Sequence, residues 1–129
     1  MTALRAVIVD DNRLLRDIVA RTLEAKGIDT FQAEDGVKGW KTVEEASPHL
    51  VVIDVVLPGE IDGVKLCSML RSSPQHQDTV IVMITASDKR REAERSLAAG
   101  ADILISKPFS PKQFWSQVGS LLKDRRLNP

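Results

Sequence analysis

Leu50-Val51-Val52-Ile53-Asp54 is the stretch that decides the fold, because four consecutive apolar residues end in a carboxylate. A short apolar run of this kind predicts a strand that is buried on both faces of a sheet. An unpaired charge at the end of a buried strand costs free energy. We therefore expect Asp54 to point out of the carboxyl end of the strand and to take part in chemistry there.

Three other apolar runs also end in polar residues. Residues 6–9 lead into Asp10-Asp11, residues 80–84 into Thr85, and residues 103–105 through Ser106 into Lys107-Pro108. The carboxyl ends of parallel strands lie at one edge of a sheet, and ligands bind beyond that edge. Parallel pairing would therefore gather three carboxylates, a hydroxyl and an ammonium group at a single site.

Helical patterns separate these runs, so that strand and helix alternate five times along the chain. The helices are predicted after Asn12, Gly36 and Gly63, from a Ser87-Asp88 cap through Lys89 to Ala99, and after a Ser110-Pro111 cap; Gly27 and Gly100 are predicted stops. The weakest strand, residues 28–33, is partly polar and is predicted at a sheet edge. This order predicts an α/β fold, a doubly wound five-stranded parallel sheet flanked by five helices.

The composition describes one globular domain without a strong electrostatic preference. The chain has 129 residues with 18 basic and 18 acidic side chains, which favours neither direct nucleic-acid binding nor an anionic membrane surface. No apolar stretch approaches the roughly 20 residues that span a bilayer, and the N-terminus enters a strand too soon to hold a signal peptide. The single cysteine, Cys67, excludes an internal disulfide. We therefore predict a cytoplasmic protein with Cys67 as a small buried hydrophobe.

The predicted edge offers ligands for a divalent metal ion. Asp10, Asp11 and Asp54 would repel one another there unless a cation or bound protons neutralise them. Mg2+ suits such a site, since it commonly binds one or two carboxylates together with water and phosphate oxygens. Asp54 stands alone and is the candidate nucleophile for an acyl phosphate, whereas the paired aspartates are candidate metal ligands, although one of them could simply cap the following helix. Lys107 adds a mobile positive charge and Thr85 a hydroxyl donor.

In combination, these residues resemble the receiver domain of two-component response regulators over nearly the whole chain. The motifs are specific as an ordered set: Asp10-Asp11, Asp54 with Pro58 and Asp62-Gly63, Thr85-Ala86, Ala99-Gly100-Ala101-Asp102, and Lys107-Pro108-Phe109. The resemblance implies a chemotaxis-type, flavodoxin-like fold with strand order 2-1-3-4-5. It also implies a receiver domain over residues 1–123, followed by residues 124–129 as a C-terminal tail or the start of a linker.

The resemblance further implies a phosphorelay function. Asp54 is the implied phosphoacceptor, loaded from a phosphohistidine on a sensor histidine kinase or a phosphotransfer protein. Asp10, Asp11, Asp54 and the backbone carbonyl of Val56 are the implied ligands of Mg2+, with Mn2+ as the alternative ion. The protein would catalyse only its own phosphorylation and dephosphorylation and would switch the binding of an unknown downstream effector, without inserting in a membrane; homodimer formation is left open.

The switch residues include one departure from the family. Lys107 is implied to contact the phosphoryl group, Thr85 and Ala86 to form the switch beside it, and Pro108 to follow a cis peptide bond. The usual switch aromatic lies three positions before the lysine, where this chain has Leu104. Leucine offers no ring or phenol to a partner, so the output through the fourth helix and fifth strand is predicted to differ.

A second departure is one extra residue after Pro58, where Gly59-Glu60-Ile61 replaces the usual pair. The start of the third helix is therefore predicted to deviate from the family. Two other functions fit these residues less well. A small phosphatase with an aspartate nucleophile would need a second acid two residues after Asp54, where Val56 stands. A phosphorylation-independent docking module is favoured only by Leu104.

Overall fold

The computed structural model describes residues 3–86 and 90–129, and within them strand and helix alternate as predicted. In this part of the chain there are five strands, five α-helices and one short 3-10 helix. Their bounds, in chain order, are β1 Arg5–Val9, α1 Arg13–Glu24, β2 Asp29–Ala33, α2 Gly36–Ala46, β3 Leu50–Asp54, α3 Gly63–Ser72, the 3-10 helix Pro74–His76, β4 Val80–Thr85, α4 Arg90–Ala98, β5 Ile103–Ser106 and α5 Pro111–Asp124.

The strands form one parallel sheet in the order β2-β1-β3-β4-β5, which confirms the predicted doubly wound fold. The polar strand β2 lies at an edge, as its composition predicted. The winding direction reverses between β1 and β3, and this is where open parallel sheets bind their ligands. Both strands end at the same edge of the sheet, because Val9 pairs with Ile53.

Two apolar cores cover the two faces of the sheet, since alternate residues of a strand point to opposite faces. Ala6 and Ile8 of β1 belong to the first core, which also holds Phe114 of α5. Val7 and Val9 belong to the second core, which holds Cys67 of α3. Burial raises the pKa of the Cys67 thiol to about 11, which agrees with its predicted role as a small hydrophobe.

Several helix ends differ from the predictions. The first helix ends at Glu24 rather than at Gly27, although Gly27 does have a positive φ of 81° just beyond it. Asn12, and neither of the two aspartates before it, is the N-cap of α1, because its side chain accepts the backbone N–H of Leu15. The fourth helix ends at Ala98, and its predicted Ser87-Asp88 cap and Lys89 lie outside the described residues.

The chain continues in contact with the fold beyond α5. Arg125 pairs with Asp102, and Leu127 packs against the first core. The boundary at residue 123 stays a prediction. Within residues 3–86 and 90–129, no helix combines the length and the apolar character needed to cross a membrane.

Candidate functional site

Asp10 and Asp54 lie side by side because β1 and β3 are neighbouring parallel strands. Asp10 is 3% exposed and Asp54 is 7% exposed, whereas Asp11 is exposed. Carboxylate oxygens of these three residues, the acidic cluster, lie within 4.8 Å of one another. The structure therefore brings together the aspartates that the sequence predicted to converge.

Lys107 follows β5 and reaches the acidic cluster. Its Nζ lies 2.8 Å from Oδ2 of Asp54 and 3.6 Å from Oδ2 of Asp10. The backbone N–H of Val56 donates to Oδ1 of Asp54 at 2.9 Å. Each oxygen of the Asp54 carboxylate thus has a donor that fixes its orientation. The peptide bond between Lys107 and Pro108 is cis, the geometry that the resemblance implied.

The pKa values of Asp10 and Lys107 are both raised in this site. Burial is the main cause that raises the pKa of Asp10 to about 6; the Asn12 N–H opposes this rise, the Asp54 charge adds to it, and the Lys107 charge opposes it. Burial alone would lower the pKa of Lys107, but its hydrogen bond to Asp54 and the two aspartate charges outweigh burial and raise it. Lys107 is therefore cationic at neutral pH, while Asp10 takes up a proton more readily than an ordinary aspartate.

The acidic cluster fits a divalent cation by charge and by ligand type. Three carboxylates face one ammonium group, so a formal charge of −3 + 1 leaves −2, which one Mg2+ would balance. The side chains offer the hard oxygen ligands that this ion prefers. Val56 lies two residues after Asp54, in the loop that follows β3, and is 67% exposed; its carbonyl as a further ligand stays a prediction.

Thr85 reaches the same edge at the end of β4. It pairs with Ser106, the residue before Lys107, and it is 1% exposed. Its hydroxyl donates to Oε2 of Glu92, in the first turn of α4, at 2.8 Å. Glu92 was not predicted as a site residue, because a glutamate in a charged helix gives no signal in the sequence until the position of the helix is known.

The structure also contains Ala86 and Leu104, the two remaining positions that the resemblance assigned to the switch. Ala86 is exposed at the end of β4. Leu104 is half-buried and packs against the second core. Its side chain is therefore part of the apolar packing on that face of the sheet, and it brings no polar atom to the site.

The loop after Asp54 makes close backbone contacts that require glycine. A Cβ on Gly63 would lie 2.0 Å from the backbone oxygen of Asp54, a distance that no real contact permits. Gly59, in the longer loop, has a φ of 89°, which a residue with a side chain rarely adopts. Helix α3 begins at Gly63 with Asp62 as its N-cap, and the deviation of this helix start from the family stays a prediction.

Comparison with known proteins identifies the family. Residues 6–118 match the model of the response regulator receiver domain. The chain is 33% identical over 119 residues, covering 92% of it and 49% of the relative, to the DNA-binding dual master transcriptional regulator RpaA of Synechocystis. It is 32% identical over 127 residues, covering 98% of it and 54% of the relative, to the phosphate regulon transcriptional regulatory protein PhoB of Escherichia coli. The chain thus spans about half the length of these curated relatives.

A solved structure agrees with this assignment. The chemotaxis response regulator CheY4 of Vibrio cholerae superposes with a TM-score of 0.87 at 26% identity, covering 94% of this chain and 100% of that one. The strand order and the family match lead to one conclusion: the chain belongs to the response regulator receiver domain family of two-component signalling.

Proposed function

We propose that Asp54 accepts a phosphoryl group from a phosphohistidine on a sensor histidine kinase or phosphotransfer protein, and that phosphorylation changes the affinity for a downstream partner. The observation that carries this proposal is the 2.8 Å contact between the Lys107 ammonium and Oδ2 of Asp54, next to Asp10 and Asp11. A carboxylate and an ammonium group are thereby held where a phosphoryl group would be bound. Phosphorylation would act by favouring one of two conformations of the domain.

The transfer exchanges one bond to phosphorus for another. An oxygen of Asp54 forms the new P–O bond while the bond from phosphorus to the donor nitrogen breaks, and the leaving imidazole keeps the electron pair and takes up a proton. Lys107 is placed to stabilise negative charge on the transferring oxygens. A bound Mg2+ or Mn2+ would add charge stabilisation, and Asp10, Asp11, Asp54 and the Val56 carbonyl are its proposed ligands.

An apolar groove beside the site supports docking of a phosphodonor protein there. Leu14 and Ile18 on α1 are 70% and 38% exposed. Together with Lys107, Pro108 and Phe109 they line a groove of about 260 Å³. A donor that covers these apolar side chains would bring its own histidine close to Asp54, since Lys107 belongs both to the groove and to the site.

Receiver domains are not enzymes with a separate substrate, and the site agrees with this. A small phosphatase with an aspartate nucleophile would need a second acid two residues after it. Val56 stands at that position, with a side chain that has no acid or base group. We therefore propose that the chemistry of this domain is limited to its own phosphorylation and the slow hydrolysis of its own acyl phosphate.

The proposal is tested by incubating the protein with Mg2+ and phosphoramidate and measuring the intact mass. The wild type is expected to gain one phosphoryl group, and EDTA is expected to prevent the gain. Asp54→Asn should remain unmodified, whereas the exposed control Asp29→Asn should react like the wild type. An unmodified wild type, or equal modification of Asp54→Asn, would refute the proposal.

A further inference from the structure

We infer that Glu92 positions the hydroxyl of Thr85, and that this hydrogen bond must break before the hydroxyl can donate to a phosphoryl group on Asp54. The inference rests on the proposed function of Asp54. The Thr85 hydroxyl donates to Oε2 of Glu92 at 2.8 Å. A carboxylate can only accept hydrogen bonds, so the single hydroxyl proton of Thr85 points at Glu92. Because Thr85 is 1% exposed, water has little access to compete for this contact.

Thr85 and Asp54 end neighbouring strands at the same edge of the sheet. In the register of β3 and β4, Asp54 pairs with Ile84, the residue before Thr85. A phosphoryl group on Asp54 would add strong acceptor oxygens at this edge. The hydroxyl could donate to one of them only after leaving Glu92, because it has one proton to give. Glu92 and the phosphoryl group therefore compete for the same donor.

This competition also connects the site to α4. Glu92 lies half-buried in the first turn of that helix. When its carboxylate loses the Thr85 hydroxyl, it can turn to water, and the start of α4 then loses its hydrogen bond to the end of β4. Leu104, which stands where the family usually has an aromatic residue, has no polar atom with which to join such an exchange. A polar connection from the phosphoacceptor edge to α4 thus passes through Glu92.

The test measures the affinity for beryllium fluoride, a stable mimic of a phosphoryl group on aspartate, in the presence of Mg2+ by titration of amide NMR shifts. Glu92→Ala is expected to bind about fivefold more tightly than wild type, since the hydroxyl no longer has to leave the Glu92 carboxylate. Glu92→Gln keeps an acceptor oxygen and should stay within about twofold of wild type. Glu94→Ala removes an exposed carboxylate from the same helix and should bind like wild type.

A double-mutant cycle separates this role from a structural one. In a Thr85→Ala background, Glu92→Ala is expected to leave the affinity unchanged, because no hydroxyl remains to be released. An equal effect in both backgrounds would overturn the inference. Unchanged or weaker binding by Glu92→Ala, with its thermal unfolding still cooperative, would overturn it as well.

The two proposals fail in different ways. A wild type that phosphoramidate does not modify, or that is modified equally after Asp54→Asn, refutes the proposed function and this inference with it. A wild type that is modified at Asp54 and binds beryllium fluoride, but with an affinity that Glu92→Ala does not raise, refutes the inference alone.

Discussion

Lys107 illustrates how one side chain can serve both the resting and the reacting state. In the resting state it neutralises part of the acidic cluster through Asp54 and Asp10. Lys107→Gln is expected to slow phosphorylation by phosphoramidate about 100-fold, because the transferring oxygens lose a fixed positive charge. The measurement is a time course of intact mass. Lys112→Gln, an exposed lysine at the start of α5, is the control, and equal rates for both variants would contradict the prediction.

Gly63 lets the start of α3 pack closely against the backbone of Asp54. A Cβ at residue 63 would lie 2.0 Å from the backbone oxygen of Asp54, so the end of β3 or the start of α3 would have to shift. Gly63→Ala is expected to lower the free energy of unfolding by about 2 kcal/mol. Urea denaturation measures the change, with Ser68→Ala, an exposed position on the same helix, as the control. An unfolding midpoint at or above that of Ser68→Ala would show that no clash occurs.

At the scale of residues, a functional side chain can be predicted from the sequence when it interrupts or follows an apolar run. Glu92 does neither, and it was not predicted. Asp54 stands out because a charge ends an apolar run, and Lys107 because it follows another run with only Ser106 between them. Glu92 and Glu94 look alike in the sequence of a charged helix. Only the packed position of α4 shows that Glu92 is half-buried against Thr85 and that Glu94 is exposed.

The last helix shows how local signals fix the start of an element. The hydroxyl of Ser110 accepts the backbone N–H of Gln113, and the Gln113 side chain accepts the backbone N–H of Ser110. Ser110→Ala is expected to lower the free energy of unfolding by about 1 kcal/mol, because one N–H of the first turn loses its acceptor. Chemical denaturation checks this value. Ser116→Ala, an exposed position inside α5, is expected to be neutral, and an equal loss there would argue against a capping effect.

Element types were more predictable than element ends. Apolar runs predicted β1, β3, β4 and β5, because burial on both faces of a sheet leaves a continuous pattern, whereas β2 was predicted from a weaker, partly polar segment. Helix ends depend on which backbone groups find partners, and the first helix therefore stops at Glu24 although Gly27 offered the clearer signal. The short 3-10 helix Pro74–His76 was not predicted, since three residues are too few to show a period.

At the scale of the whole molecule, Arg71 joins segments that are distant in sequence. Its guanidinium donates to Asp102 and to backbone oxygens of Gly100, His76, Gln77 and Thr79. Arg71 lies at the end of α3, so its guanidinium joins this helix to the loop before β4 and to the turn before β5. The motif that contains Asp102 was recognised from the sequence, but its partner Arg71 was not, because nothing in the sequence places them together.

Arg71→Ala is expected to lower the free energy of unfolding by about 2 kcal/mol, because several carbonyls and the mostly buried carboxylate of Asp102 lose their donor. Arg125 would still contact Asp102 and limit the loss. Urea unfolding is the measurement, with Arg13→Ala as the control because the Arg13 side chain is 86% exposed. The prediction would be wrong if the two variants unfolded at the same urea concentration.

The order of the strands illustrates the limit of patterns alone. Strand and helix alternation predicted a parallel sheet with β2 at an edge, but the full order came from the resemblance to a family. Many windings of five parallel strands share the same alternation, and the hydrophobic pattern does not distinguish them. The parallel arrangement alone predicted that Asp10, Asp54 and Lys107 lie at the same edge of the sheet.

The two cores each hold one of the two tryptophans: Trp115 packs against the first and Trp40 against the second. The molecule therefore carries an intrinsic fluorophore on either side of its sheet. Replacing one indole by phenylalanine would leave an emission signal from one side only. Stopped-flow fluorescence of the two single-tryptophan proteins could then show whether the two sides lose their packing at the same moment or one after the other.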